Sequence, residues 1–111
     1  MTLWPRALQP GDPVQLAAAS SSLKPEALER LQAGITVMEQ WGLQVQPHPQ
    51  PLRSWGYLAG NDSERNDDLK ATAPLVACLR GGWGAARLLE TPAAPWSAAS
   101  GGTHWLLGFS D

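Results

Sequence analysis

The sequence holds a single cysteine among its 111 residues, Cys78, so neither an intramolecular disulfide nor a cysteine-based metal cluster is available to it. Basic residues are in slight deficit, 8 Lys and Arg against 10 Asp and Glu, for a formal charge of −2. That balance excludes the basic excess by which nucleic-acid binders and membrane-surface proteins hold their partners. No apolar run approaches the ~18 residues that a membrane span requires. The start, Met1-Thr2-Leu3-Trp4-Pro5-Arg6, has no basic segment leading into an apolar core, and no signal peptide is expected. A reducing cytoplasm fits these absences best, and there the acceptor triplet Asn61-Asp62-Ser63 carries no glycan. Histidine is scarce too: His48 and His104 each lack a second ligand at useful spacing, so no metal site is expected. Asp62, Glu64, Asp67 and Asp68 have the look of a calcium loop without the glycine its turn requires.

What the chain does have is apolar content, 43% hydrophobic against 16% charged residues. Its length suits one small domain, which buries roughly two-thirds of its unfolded surface. The 11 Gly and 10 Pro stay below a low-complexity share. Pro10-Gly11-Asp12-Pro13 is a turn signal, and Val14 to Ala19 reads as a buried strand running out into Ser20-Ser21-Ser22. Pro25 suits the first position of a helix, Leu28, Leu31, Ile35, Met38 and Trp41 recur at helical spacing, and Gly42 is a stop. Leu43 to Gln46 alternates as a short strand, and Pro47, Pro49 and Pro51 enforce a loop around His48. A second helix, capped by Asp62, is expected through Leu69 to about Ala73; most of its dense charges should face solvent. Leu75 to Leu79 is a strand-length apolar run, broken by Arg80-Gly81-Gly82-Trp83-Gly84 and followed by the helical segment Ala85 to Glu90. Thr91 to Gly102 reads as a loop, and His104 to Leu107 as a last strand. Continuous apolar strands separated by helices indicate an α/β fold with a parallel sheet covered on both faces. Most of the six tryptophans are expected in the core.

Ligands of open α/β sheets bind beyond the carboxyl ends of the strands. Ser20-Ser21-Ser22, Arg80 to Gly84 and Gly108-Phe109-Ser110-Asp111 all follow strands and should open on one edge. The last has the start of a nucleophile elbow, in which a tight turn lifts a serine hydroxyl clear of the sheet; an ordinary turn reads the same way. The glycine segment is an anion loop, half of an oxyanion hole, or simply a tight strand-to-helix turn. It is neither a Walker loop nor a complete dinucleotide fingerprint, because Arg87 stands where the last glycine belongs. Arg80 either pairs with a substrate carboxylate or bonds nearby loop carbonyls, and Trp83 could line a ligand site. Cys78, within an apolar run, reads as a small buried hydrophobe in preference to a nucleophile.

Together these segments resemble the N-terminal part of the LD-carboxypeptidases, serine peptidases of the S66 type that include the microcin-immunity peptidases. Leu8-Gln9-Pro10-Gly11-Asp12 is similar to the family's opening, and Ala18-Ala19-Ser20-Ser21 resembles its Ala-Pro-Ser-Ser with Ala19 in place of proline. Gly56 to Arg65 resembles its Tyr-Leu-Ala-Gly block with a following Asp-x-x-Arg, and Asp68-Leu69 comes after it as in the family. Arg80 to Leu89 resembles Arg-Gly-Gly-Tyr-Gly-x-x-Arg-Leu-Leu, with Trp83 in the tyrosine position. Gly108-Phe109-Ser110-Asp111 resembles the Gly-x-Ser-Asp that holds the nucleophile.

The resemblance implies a flavodoxin-like parallel sheet, with Ser110 as nucleophile and the backbone N–H groups of Gly82 and Asp111 as the oxyanion hole. Arg80, Gly81 and Trp83 would contact substrate. It implies no cofactor, a homodimer, and release of D-alanine from murein tetrapeptides in the cytoplasm. The microcin-type branch instead cleaves a peptidyl-nucleotide amide. A non-catalytic anion- or nucleotide-binding module is the competing reading. The family's glutamate and histidine lie in a C-terminal domain, so residues 1–111 are expected to be a truncated N-terminal domain, inactive alone.

Overall fold

The computed structural model describes residues 4–70, 73–90 and 104–108. The loop expected at 91–102, Trp96, Ser110 and Asp111 lie outside the described residues. Among the described residues four parallel strands form one sheet: β1 (Pro13–Ala17), β2 (Gln44–Gln46), β3 (Leu75–Cys78) and β4 (Trp105–Leu107), in the order β2-β1-β3-β4. β1 is central, with Val14 opposite Val45 on one side and opposite Leu75 on the other. On its other side β3 pairs with β4, with Val76 opposite Leu106. The chain is α/β with a parallel sheet, as its apolar runs indicate.

Side chains alternate between the two faces of a strand, so each run feeds two cores. Val14, Leu16, Leu43, Leu75 and Ala77 form one, against which Leu31, Ile35 and Met38 of α1 (Leu28–Gln40) pack. Ala17, Ala19, Val76, Leu69 and Leu88 form the other. Leu88 is fully buried, and truncating it to alanine would cost about 2–5 kcal/mol. Gln15 points to this second face and donates to the carbonyls of Asp68 and Lys70, both at 2.8 Å, satisfying groups left open at the end of α2 (Asp62–Asp68).

α1 ends as its sequence requires. Gly42 takes φ +88°, and the amides of Gly42 and Leu43 return to the carbonyls of Glu39 and Met38, closing a Schellman motif. The Gly11 amide then donates to the Gly42 carbonyl, tying the start of β1 to the end of α1.

Several expectations are corrected. Asn61, not Asp62, caps α2, and its side chain and that of Glu64 form a reciprocal capping box. The segment Ala85–Glu90 winds as a 3₁₀ helix: the Arg87 amide returns to Gly84, whose carbonyl is also held by Arg65. Trp4, Trp41, Trp55 and Trp83 are exposed, because they stand in turns, loops and a helix end beyond the two apolar faces. Trp105 is half-buried; its indole N–H donates to the Arg6 carbonyl and its ring meets Trp4 at a 6.4 Å centroid distance.

Candidate functional site

The strand order reverses direction between β1 and β3, since the chain leaves β2 on one side of β1 and returns on the other as β3. The carboxyl ends of β1 and β3 therefore flank a crevice, the usual ligand position in an open parallel sheet. Ser20-Ser21-Ser22 leaves β1 into this crevice and Arg80-Gly81-Gly82-Trp83-Gly84 leaves β3. β4 is parallel to β3 and ends on the same edge at Leu107, three positions before Ser110 in the sequence.

The two loops touch. The Trp83 amide donates to Ser21 Oγ at 3.1 Å, and Arg80 Nη1 donates to the Ser22 carbonyl at 3.1 Å. Gly82 has φ +112°, and a β-carbon there would fall 2.7 Å from Ser21 Cβ and closer still to its Oγ. Only glycine fits that approach. A third segment completes the frame: Trp55, Gly56, Tyr57 and Leu58 make a tight turn in which Trp55 and Leu58 exchange backbone bonds. It pairs with the serine loop through Ser22 N to Tyr57 O at 3.0 Å and Ala59 N to Ser20 O at 2.8 Å. The resulting cleft of about 660 Å³ is lined by Ser21, Ser22, Lys24, Gly56, Tyr57, Arg80 and Trp83.

Beneath the frame lies Arg65, which is fully buried. Its Nε donates to Gly60 O at 2.9 Å and its Nη1 to Ala19 O at 3.2 Å and Gly84 O at 2.7 Å, while Nη2 meets Asp62. One guanidinium thus holds the exits of β1, the 55–60 segment and the glycine loop in register. Burial lowers its proton affinity from the ordinary value and Asp62 opposes that pull. Asp62 also accepts from Arg87 at 3.0 Å, so a single carboxylate serves two arginines.

A second polar cluster braces the same segments from the α2 end. Asp68 accepts from the Ala18 amide at 2.8 Å, from His48 Nε2 at 2.6 Å and from Arg53 at 3.2 Å. His48 Nδ1 accepts from the Gln50 amide at 3.0 Å, which assigns the ring proton to Nε2, facing Asp68. Burial opposes ionisation of Asp68, but the hydrogen bonds from His48 and Ala18, with the charges beside it, hold its carboxyl below the usual range. Arg53 reaches onward to the carbonyls of Ala18 and Ala59.

Most of the charges of α2 were expected to face solvent, without distinguishing which would not; Arg65 and Asp68 form the interior of the site's scaffold. α2 is only seven residues long and polar throughout, so no apolar periodicity marks its buried side. The available signal was the excess of arginines at 53, 65 and 87 opposite aspartates at 62 and 68. Of the expected site residues, the structure brings Arg80, Gly81, Gly82 and Trp83 to the crevice edge beside Ser21, with Arg80 bonded to a loop carbonyl. Ser110 and Asp111 lie outside the described residues. Cys78 sits at the end of β3, where burial pushes its thiol above the usual range and so away from nucleophilic duty. Among the described residues no His, Cys, Asp and Glu side chains gather to hold a metal ion, and no helix is long and apolar enough to cross a membrane.

Comparison with known proteins places this sequence in a family. A family model described as the LD-carboxypeptidase N-terminal domain, peptidase family S66, matches residues 14–111. A protein of Synechocystis sp. named as a carboxypeptidase is 40% identical over 98% of this chain and 36% of its own length. One of Streptomyces coelicolor, also named as a carboxypeptidase, is 38% identical over 96% of this chain and 36% of its own. One of Bacillus subtilis named as a murein peptide carboxypeptidase is 36% identical over 76% of this chain and 27% of its own. The chain spans about a third of the length of the curated relatives it matches. On the match across residues 14–111, the chain belongs to the LD-carboxypeptidase family of peptidases, S66, and corresponds to its N-terminal domain.

Proposed function

We propose that residues 1–111 are the nucleophile-bearing N-terminal portion of a cytoplasmic serine LD-carboxypeptidase. The enzyme hydrolyses the L,D-peptide bond of murein tetrapeptides and releases D-alanine for cell-wall recycling. The observation that carries this reading is the seating of Gly82 against Ser21 at the switch point. It fixes a glycine backbone at the sheet edge where β4, the strand leading toward Ser110, also ends. In this reading Ser110 Oγ attacks the scissile carbonyl carbon as a base takes its proton. The N–H groups of Gly82 and Asp111 hold the oxyanion, and Arg80, Gly81 and Trp83 contact the peptide. Collapse breaks the C–N bond as the D-alanine amine takes up a proton, and water then hydrolyses the serine ester.

The glutamate and histidine that complete the family's triad are assigned to a C-terminal domain, so the 111 residues alone do not turn over. In the full-length parent, Ser110→Ala is expected to lower D-alanine release by on the order of 10⁴-fold or more. Unchanged turnover would overturn the assignment.

The exposed rings of Tyr57 and Trp83 beside the cleft favour one alternative, a microcin-type peptidyl-nucleotide amide, since aromatic faces stack on bases. Assaying the parent on both substrates decides between them.

A further inference from the structure

The chain carries eight Lys and Arg side chains, and all are among the described residues. Five are paired with aspartates: Arg6 with Asp12, Arg53 with Asp68, Arg65 and Arg87 with Asp62, and Lys70 with Asp67. The other three, Lys24, Arg30 and Arg80, have no ion pair with a described carboxylate. All three line one hollow. Arg30 lies in an apolar groove of about 460 Å³ between α1 and the ends of β3 and β4, among Leu31, Ile35 and Leu79. Lys24 and Arg80 line both that groove and the polar cleft, and so stand where the two meet. No described Asp or Glu lines either space.

In a protein of net charge −2, cations left uncompensated at one place focus an attractive field on anions there. We propose that the joined cleft and groove form a carboxylate-binding subsite for an acidic peptide. Lys24, Arg80 and Arg30 take its carboxylates while its apolar part rests against α1. Arg80 spends one N–H on the Ser22 carbonyl and keeps further donors of its planar fork for a carboxylate. The glycine loop is poorly suited to phosphate, because the Trp83 amide that would help cradle it is already given to Ser21. Lys24 emerges as a specificity-determining residue, placed just ahead of the 3₁₀ turn Pro25–Ala27 that leads into α1, where the helix dipole adds to its charge.

The choice of peptide rests on the peptidase reading, but the test needs no turnover. Calorimetric titration of the 111-residue chain would use murein tetrapeptide and the same peptide with its carboxyl groups amidated. The acidic peptide is expected to bind in a salt-dependent manner, Lys24→Gln to weaken it about tenfold, and Lys24→Arg to retain it. The amidated peptide should bind weakly and ignore both substitutions. Equal binding of the two peptides, equal loss on both in Lys24→Gln, or no saturable binding of the acidic peptide would each overturn the subsite. So would displacement by inorganic phosphate far below the concentration of acetate needed. Intact peptide binding alongside a parent enzyme indifferent to Ser110→Ala would sink the hydrolytic reading and leave the subsite standing.

Discussion

The α-carbon of Gly82 sits so close to Ser21 that a methyl group on it would press within 2.7 Å of the serine Cβ. The two residues are brought together from opposite sides of the switch point, and the Trp83 amide is held by the same serine. The glycine is thus required twice, by its φ of +112° and by its neighbour.

Gly82→Ala is therefore expected to displace the glycine loop and to lower parent turnover by about 10²-fold, the scale of losing one oxyanion donor. Combining it with Ser21→Gly removes the obstruction and leaves the backbone strain, so the double variant should recover only part of the loss. Full activity of Gly82→Ala would show that the loop takes no part in the chemistry.

Arg65→Lys is expected to destabilise the chain by about 3 kcal/mol, measured as the shift in urea unfolding. An ammonium cannot reproduce the fork that reaches Gly60, Ala19 and Gly84 together. A loss below about 0.5 kcal/mol, the scale of an ordinary surface substitution, would contradict the buried tie.

The depressed carboxyl of Asp68 gives a pH dependence with a definite sign. The folded state holds this group ionised at pH values where the unfolded chain has taken up a proton. Its contribution is fully present above the unfolded value of about 3.9 and is lost as pH falls through the lower folded value. Unfolding free energy followed between neutral pH and strong acid should fall along this limb in the native chain. In Asp68→Asn the limb should flatten, with a loss on the order of 1–3 kcal/mol at neutral pH, because the amide oxygen can still accept from Ala18 but the carboxylate charge that pairs with Arg53 is gone. An unchanged acid limb would remove Asp68 from the account.

Cys78 should react slowly with iodoacetamide at neutral pH, because burial keeps its thiol protonated. Labelling is expected to accelerate to the rate of a free cysteine once the chain is unfolded in urea. Rapid labelling of the native chain would indicate an activated thiol.

The strands and α1 were legible because their signals are local: short apolar runs at 14–19, interrupted at Gln15, and at 75–79, a helical stripe from Leu28 to Met38, and a glycine stop at Gly42. The convergence of the serine and glycine loops was legible too, since parallel strands open their carboxyl ends on one edge. The scaffold under them was not. Arg65 is buried by partners 46 residues earlier and 19 later, and three of its bonds are to backbone carbonyls, which carry no sequence identity. His48 does stand in its loop as expected, but its side-chain partner, Asp68, was not legible because it lies 20 positions away on a helix with no apolar face. Tryptophan misled for the opposite reason: bulk predicts burial, but four of these rings stand past the ends of the faces that could cover them.

The strand order has a consequence for assembly. β1 and β3 are neighbours in space, yet Ser21 and Trp83 are joined across a sequence separation of 62 residues. The cleft cannot form from any one hairpin or helix. It appears only after the long excursion through α1, β2 and α2 has been closed, a step whose entropy cost slows folding. A nascent or partly unfolded chain therefore has no half-built cleft with which to bind peptide, and ligand occupancy would report that the whole sheet is in place.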